Sequence, residues 1–211
     1  MRTILMSTRV TEADNYSEKR NSIAYEYIDF FEKLGFLIYL IPNNTNNIKS
    51  YFKTKIDLIV LSGGNNVNPN LYNNNELLKD VYDERDTLEI ELLHISQKNN
   101  IPLLGICRGF HMINVFFKGL ISHNIKNHVN KNHILQSQNN ILNDKETNSF
   151  HNQGIMINDL SDKLEIIALS DDIVEMFIHK DKQILGIQWH PERQTNKFDK
   201  EIINKFLEGK L

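Results

Sequence analysis

The sequence predicts an α/β fold in which crossover helices connect the strands of a parallel sheet. Two observations support this prediction. Short apolar runs alternate with segments of helical periodicity through the first half of the chain, as is typical of βαβ units. One of these runs, residues 101–106, is apolar almost without interruption, which indicates a strand buried on both faces.

Each element has its own signal in the sequence. In the first half, we expect strands at residues 3–6, 36–41, 56–61 and 101–106, and helices at residues 22–34, 83–97 and 108 to about 118. In the second half, polar turns separate three strand-like runs at residues 164–169, 173–178 and 184–188. A last helix covers residues 198–207. Residues 120–148 are polar and weakly patterned, and they are expected to form a flap over a site.

Composition limits the class of protein. The 211 residues suit one domain spanning residues 1–211, and 40% hydrophobic residues are too many for a disordered chain. A net charge of −3 argues against binding to nucleic acid or to a membrane surface. One cysteine excludes an internal disulfide and a cysteine-rich zinc site. The first apolar stretch is too short for a signal peptide, and no later one approaches a membrane span, so we expect a cytoplasmic protein.

The segment around Cys107 carries the strongest chemical signal. The strand predicted at 101–106 leads into Cys107, flanked by Gly105 and Gly109, and an amphipathic helix follows at once. This is a nucleophile elbow with cysteine in place of serine, because the glycines leave room for a strained turn and the helix start favours a thiolate. The alternative is a buried structural cysteine, which the glycines and the strand–turn–helix context disfavour.

A nucleophilic cysteine needs a base and a group that orients the base. His190 and Glu192 supply both directly after the last predicted strand, and Pro191 between them stiffens the turn. We therefore predict that Cys107, His190 and Glu192 act together.

A glycine pair supplies the expected oxyanion hole. Gly63 and Gly64 follow the third predicted strand, and their unobstructed amides can point at a developing oxyanion. On its own, a glycine pair is equally typical of an ordinary turn with no catalytic role. Combined with the Arg108 amide at the helix start, the Gly64 amide would complete a hole with two donors.

These segments resemble the class I glutamine amidotransferase superfamily and, within it, the γ-glutamyl hydrolase-like branch, peptidase C26. The matching segments follow one another in chain order: Gly63–Gly64 with Val67, Pro69 and Tyr72; Arg85–Asp86; Gly105 to Gly109; Asn114-Val115; Asn148-Ser-Phe-His151; and Gly186 to Glu192. The resemblance implies a three-layer, flavodoxin-like fold with a mostly parallel central sheet. It also implies a Cys107–His190–Glu192 triad that hydrolyses a γ-glutamyl amide through a thioester, with no metal or organic cofactor.

The resemblance also suggests which residues contact the substrate. His111 departs from the family, whose members usually carry glutamine at this position against the glutamyl group. Gly63 and the segment Ser149, Phe150 and His151 are expected to contribute to the pocket, although His151 is equally compatible with a structural role. Three histidines, His123, His128 and His133, recur every five residues, but this spacing fits neither a helix face nor a strand face, so no metal site is predicted.

Three classes of function remain open at this stage. The chain is a free-standing hydrolase of a small γ-glutamylated metabolite, a glutaminase that passes ammonia to a separate synthetase, or a binding module. The complete triad argues against the binding module. The Cys-Arg-Gly elbow argues against the glutaminase, because most ammonia-delivering subunits carry Cys-x-Gly-x-Gln.

The resemblance suggests two candidate classes of leaving group. One is a γ-glutamyl amine such as γ-glutamyl-aminobutyrate. The other is a nucleotide amidate, γ-glutamyl-CDP-amidate, which would release cytidine diphosphoramidate for capsule biosynthesis. Arg9, Arg108 and Arg193 follow predicted strand ends, and guanidinium groups suit phosphate, so we expect the nucleotide amidate. Arg9 is at least as compatible with a position in solvent.

Overall fold

The computed structural model describes residues 1–123, 125, 129–194 and 196–211. Its strands and helices are, in chain order, β1 (Arg2–Ser7), β2 (Arg9–Glu12), β3 (Lys19–Ser22), α1 (Tyr25–Lys33), β4 (Phe36–Ile41), α2 (Ile48–Tyr51), β5 (Leu58–Leu61), α3 (Asp83–Asn99), β6 (Leu103–Ile106), α4 (Arg108–Phe116), β7 (Val129–Ile134), β8 (Glu146–Phe150), β9 (Ile155–Met156), β10 (Leu164–Ser170), β11 (Ile173–His179), β12 (Ile184–Ile187) and α5 (Lys197–Leu207).

The central sheet has the strand order β10-β11-β12-β6-β5-β1-β4, with β9 paired to β11. The pairs from β12 to β4 are parallel, and β9, β10 and β12 run antiparallel to β11. Gly105 of β6 lies opposite Leu61 of β5 on one side and Gly186 of β12 on the other. The segments that follow β5, β6 and β12 therefore meet at one edge of the sheet.

Helices cover both faces of this sheet. Along β1, Leu5 belongs to the core shared with α3 and α4, whereas Ile4 and Met6 belong to the core shared with α1 and α5. This division follows from the alternation of side chains along a strand. The mostly parallel, three-layer architecture predicted from the sequence is thus confirmed.

Two hairpins differ from the expectations. β2 pairs with β3, so Ser22 lies opposite Arg9 and the first helix begins at Tyr25 rather than at residue 22. Within residues 120–148, where little pattern was visible, β7 pairs with β8, and the connection between them buries Leu135 and Leu142 completely. Both hairpins were missed because their strands are short and largely polar, without the apolar runs that mark the central sheet. No helix in the described part of the chain is long and apolar enough to cross a bilayer.

Candidate active site

Cys107 stands on a strained turn between β6 and α4. Its backbone has φ 53° and ψ −100°, a conformation that costs free energy in a residue with a side chain and is typical of functional sites. The turn closes because the neighbouring glycines have no side chains. A Cβ at Gly109 would lie 2.2 Å from the Leu61 carbonyl oxygen, and one at Gly105 would lie 2.5 Å from the Gly109 backbone.

His190 faces this cysteine from the segment that follows β12. Its Nδ1 lies 2.6 Å from Glu192 Oε1, and its imidazole hydrogen-bonds Cys107. Burial lowers the pKa of His190, but the charge of Cys107, the bond to Cys107 and the Glu192 carboxylate outweigh burial and raise that pKa to about 9. The Asn148 side chain makes two hydrogen bonds with the backbone of His190: it donates to the His190 carbonyl (2.8 Å) and accepts from the His190 amide (3.0 Å).

The glycine pair after β5 lies against these groups. A Cβ at Gly63 would lie 3.0 Å from His190 Cε1 and 3.6 Å from Cys107 Cβ. The Gly63 amide already donates to the Tyr27 hydroxyl (2.9 Å), so the Gly64 amide is the better oxyanion donor of the two. Gly64 has φ 80°, which favours glycine at this position.

Tyr27 is a site residue that sequence reasoning missed. Its helical spacing in the sequence indicates only a place on the apolar face of α1, but in the structure its hydroxyl accepts a hydrogen bond from the Gly63 amide. Burial raises the pKa of Tyr27 well above its usual value, and the charge of Glu192 raises it further. Tyr27 therefore stays a neutral phenol that links the glycine turn to the Glu192 region.

A cavity of about 250 Å³ opens beside Cys107 and His190. Six of the eight residues predicted to contact substrate or phosphate line it: Arg9, Arg108, His111, Phe150, His151 and Arg193. Arg193 lies over the Phe150 ring, with its guanidinium carbon 4.5 Å from the ring centroid. Ser149 is 1% exposed within β8, and neither it nor Gly63 belongs to the described lining of this cavity.

The bonding partners of the Arg108 guanidinium differ from the predicted ones. Although Arg108 lies beside the cavity, its guanidinium is buried and bonds Asp86 and Glu89. Both terminal nitrogens thus bond carboxylates of α3, whereas the buried Nε has no hydrogen-bond partner in the described part of the chain. The Arg108 backbone amide, at the first position of α4, remains the candidate oxyanion donor because helix-start amides have no partner within the helix.

His111 is held as a neutral imidazole. Burial lowers the pKa of His111 to about 4, although its bond to Gln188 acts in the opposite direction. His111 Nε2 lies 2.8 Å from Gln188 Oε1. The position that usually carries glutamine in the family therefore presents an uncharged aromatic ring to the cavity.

His133, His151 and Glu175 form a buried polar trio, of which His151 lines the cavity. His151 Nδ1 lies 2.8 Å from the Gln153 carbonyl oxygen, and the Nε2 atoms of His151 and His133 lie 3.7 Å and 4.0 Å from Glu175 Oε1. The ligand atoms of this trio all lie within 4.8 Å of one another. Two ligands of one tetrahedral zinc ion would be about 3.4 Å apart, which is closer than the two histidine nitrogens lie to Glu175 Oε1 in this structure.

The three evenly spaced histidines do not form a common site in the described structure. His128 lies outside the described residues. His123 bonds the Tyr72 hydroxyl and Glu76, whereas His133 belongs to the trio with Glu175.

Comparisons with known proteins identify the family of this chain. The Peptidase C26 family model matches residues 3–192. The glutamine amidotransferase-like protein YvdE of Lactococcus lactis subsp. lactis (strain IL1403) is 35% identical over 90% of this chain and 91% of its own. The gamma-glutamyl-CDP-amidate hydrolase of Campylobacter jejuni (serotype O:2) is 34% identical over 92% of each chain. The crystal structure of a GMP synthase subunit from Thermoplasma acidophilum has a TM-score of 0.67 at 23% identity, covering 99% of this chain and 93% of its own, and shows the fold.

A cysteine raised at the end of a central strand and faced by a buried imidazole suits acyl transfer. Together with the fold and the relatives, this arrangement defines a glutamine amidotransferase-like hydrolase of γ-glutamyl amides. The chain belongs to the Peptidase C26 family.

Proposed function

We propose that this protein hydrolyses a γ-glutamyl amide through a Cys107 thioester. The observation that carries the proposal is the contact of His190 with Cys107 on one side and with Glu192, at 2.6 Å, on the other. A nucleophile, a base and an orienting carboxylate in this order are the elements of a catalytic triad.

The steps follow from this geometry. Cys107 Sγ attacks the γ-carbonyl carbon, and the oxyanion forms at the Gly64 and Arg108 amides, each contributing about 3 kcal/mol. The His190 imidazolium gives its proton to the leaving nitrogen, the C–N bond breaks and the amine departs. Water then attacks the thioester while His190 takes up its proton. Collapse of the second tetrahedral intermediate releases glutamate and the Cys107 thiolate.

We further propose that the leaving group carries phosphate, as in γ-glutamyl-CDP-amidate. Arg9 Nε is buried and has no hydrogen-bond partner in the described part of the chain, and Arg9 lines the same cavity as Arg193. Arg193 is half-exposed above the Phe150 ring, so both can reach an anion beside the scissile bond. The name of the Campylobacter jejuni relative agrees with such a substrate.

A panel of γ-glutamyl compounds tests the leaving group. We expect the nucleotide amidate to exceed glutamine and γ-glutamyl-aminobutyrate about a hundredfold in kcat/KM, since each charge-assisted contact contributes about 1.5–3 kcal/mol. Arg193→Ala should then lower kcat/KM for the nucleotide amidate about 10- to 100-fold and leave glutamine turnover nearly unchanged. The control is Arg2→Ala, which replaces an exposed arginine at the start of β1.

Equal kcat/KM values for glutamine and the nucleotide amidate would contradict the anionic pocket. They would favour the second candidate, a glutaminase that delivers ammonia to a separate synthetase. That alternative has support in relatives described as glutamine-hydrolysing GMP synthases, one of which is 24% identical over 98% of this chain and 36% of its own.

The pH dependence tests the role of Glu192. The imidazolium must persist to protonate the leaving nitrogen, and the pKa of His190 is raised to about 9, so kcat/KM should fall above about pH 9. Glu192 is one of the groups that raise this pKa. Its replacement in Glu192→Gln should therefore move the alkaline limb to lower pH. An alkaline limb at the same pH in Glu192→Gln as in the wild type would argue against the pairing of Glu192 with His190. Glu165→Gln, at an exposed position of β10, is the control.

A further inference from the structure

We propose that Arg85 is a positioning residue that orients both donors of the oxyanion hole through one buried network of charges. The inference rests on the proposed function for the identity of the donors, the Gly64 and Arg108 amides. It adds Arg85 and Glu89, which lie on α3 beneath the glycine turn.

The two terminal nitrogens of Arg85 donate their hydrogen bonds to the glycine turn. Nη1 donates to the Gly64 carbonyl at 2.6 Å and to Asn65 Oδ1 at 2.8 Å. Nη2 donates to the Ser62 and Gly63 carbonyls at 2.7 Å and 3.0 Å. The planar guanidinium thus holds three consecutive carbonyl oxygens on one side of the turn. Burial lowers the pKa of Arg85 to about 10, so it remains a cation at neutral pH.

This hold determines where the Gly64 amide points. In a trans peptide the C=O and the following N–H point in opposite directions. With the Gly63 carbonyl turned to Arg85, the Gly64 N–H is directed to the other side of the turn. Gly64 lines the cavity beside Cys107, and within the described part of the chain its N–H has no acceptor. The Arg85 contacts therefore present this donor to the cavity.

The same network reaches the second donor. Arg85 Nε donates to Glu89 Oε1 at 3.0 Å, and the other oxygen of Glu89 accepts from the Arg108 guanidinium. Arg108 also bonds Asp86, so its side chain is fixed at the first turn of α4. Because the side chain and the amide belong to one residue, this anchor limits movement of the Arg108 N–H.

The burial of this network fits a positioning role. The side chains of Arg85 and Glu89 are 0% exposed and that of Arg108 is 2% exposed. Buried ion pairs are costly to desolvate and are weak evidence for stability as such. Lysine in place of arginine cannot span three carbonyls, because its ammonium is a compact point charge rather than a planar fork.

The test compares two reactions at the sulphur of Cys107, the single cysteine of the sequence. Acylation by p-nitrophenyl acetate passes through a tetrahedral oxyanion, whereas alkylation by iodoacetamide forms none. We expect Arg85→Lys to slow acylation about 100-fold, the scale of a displaced oxyanion donor, and to leave alkylation within about twofold. For γ-glutamyl p-nitroanilide, kcat should fall by the same factor while KM stays unchanged.

Circular dichroism and the melting temperature establish that the variant is folded. Where Arg85→Lys does not fold, Glu89→Gln keeps both arginines and the side-chain volume, and the same selective loss of acylation is expected. Arg2→Lys is the control. Equal losses in acylation and alkylation, a rise in KM alone, or no change would each overturn the inference. The proposed function would be contradicted if Cys107 of the wild-type protein undergoes both reactions but the protein hydrolyses no γ-glutamyl amide. In that case the ratio of the acylation rate to the alkylation rate would still decide the role of Arg85.

Discussion

Cys107→Ala is expected to abolish glutamate release from any γ-glutamyl substrate of this protein. Without the sulphur no thioester forms, and loss of a triad nucleophile costs about 10⁴-fold or more in kcat. The fold should be preserved, because alanine keeps the Cβ that the strained turn already accommodates and Cys107 is only partly buried. The measurement is glutamate release over several hours together with the melting temperature.

Chemical modification provides a matched second test of the nucleophile. Since the chain contains one cysteine, iodoacetamide modifies a single thiol, and mass spectrometry identifies the site. Carbamidomethylated wild-type protein should be as inactive as Cys107→Ala. Turnover that persists in either preparation would show that another group carries out the reaction.

His190→Asn is expected to have the second-largest effect, close to that of Cys107→Ala. The imidazole donates the proton to the leaving nitrogen and later receives one from water, and asparagine does neither. Glu192→Gln should retain more activity, with a loss about 10- to 100-fold smaller, because the carboxylate orients and supports the imidazole without transferring the proton. Steady-state kcat/KM for the three proteins gives the ranking.

His94 provides the control for these substitutions. It is exposed on α3 and contacts Phe116, away from the cavity, so His94→Asn should keep wild-type kcat/KM. The reverse ranking, with Glu192→Gln less active than His190→Asn, would mean that the carboxylate takes part in proton transfer and that the two roles have been exchanged.

The elements of this protein were predictable to different degrees. β4 was predicted with its observed ends, and β6 and α4 were predicted on either side of Cys107. These elements have strong local signals. β6 is apolar and buried throughout, β4 is an apolar run although it lies at the sheet edge with Leu37, Tyr39 and Leu40 exposed, and a helix start follows a glycine-flanked turn. The β7–β8 hairpin has no such signal. Its strands are largely polar even where β8 is buried, at Thr147, Asn148 and Ser149, and its buried apolar contacts come from Leu135 and Leu142 in the connection.

The candidate site divides in the same way. Cys107, His190 and Glu192 could be grouped from the sequence, because each follows a strand end and the carboxyl ends of parallel strands meet at one edge. Tyr27 could not be assigned to the site, because its helical spacing signals only burial in the core. The direction of its hydroxyl depends on Gly63, which lies 36 residues away in the chain.

Arg108 shows most clearly what the tertiary structure decided. The elbow pattern predicts that Arg108 begins α4 and that its backbone amide is a candidate oxyanion donor. Its guanidinium was expected to face phosphate, but Asp86 and Glu89, 22 and 19 residues earlier, accept both terminal nitrogens. Local sequence sets the type of residue and the backbone turn on which it stands. The partner of a long charged side chain depends on which groups the fold buries beside it, because a buried charge must be compensated by the nearest opposite charge.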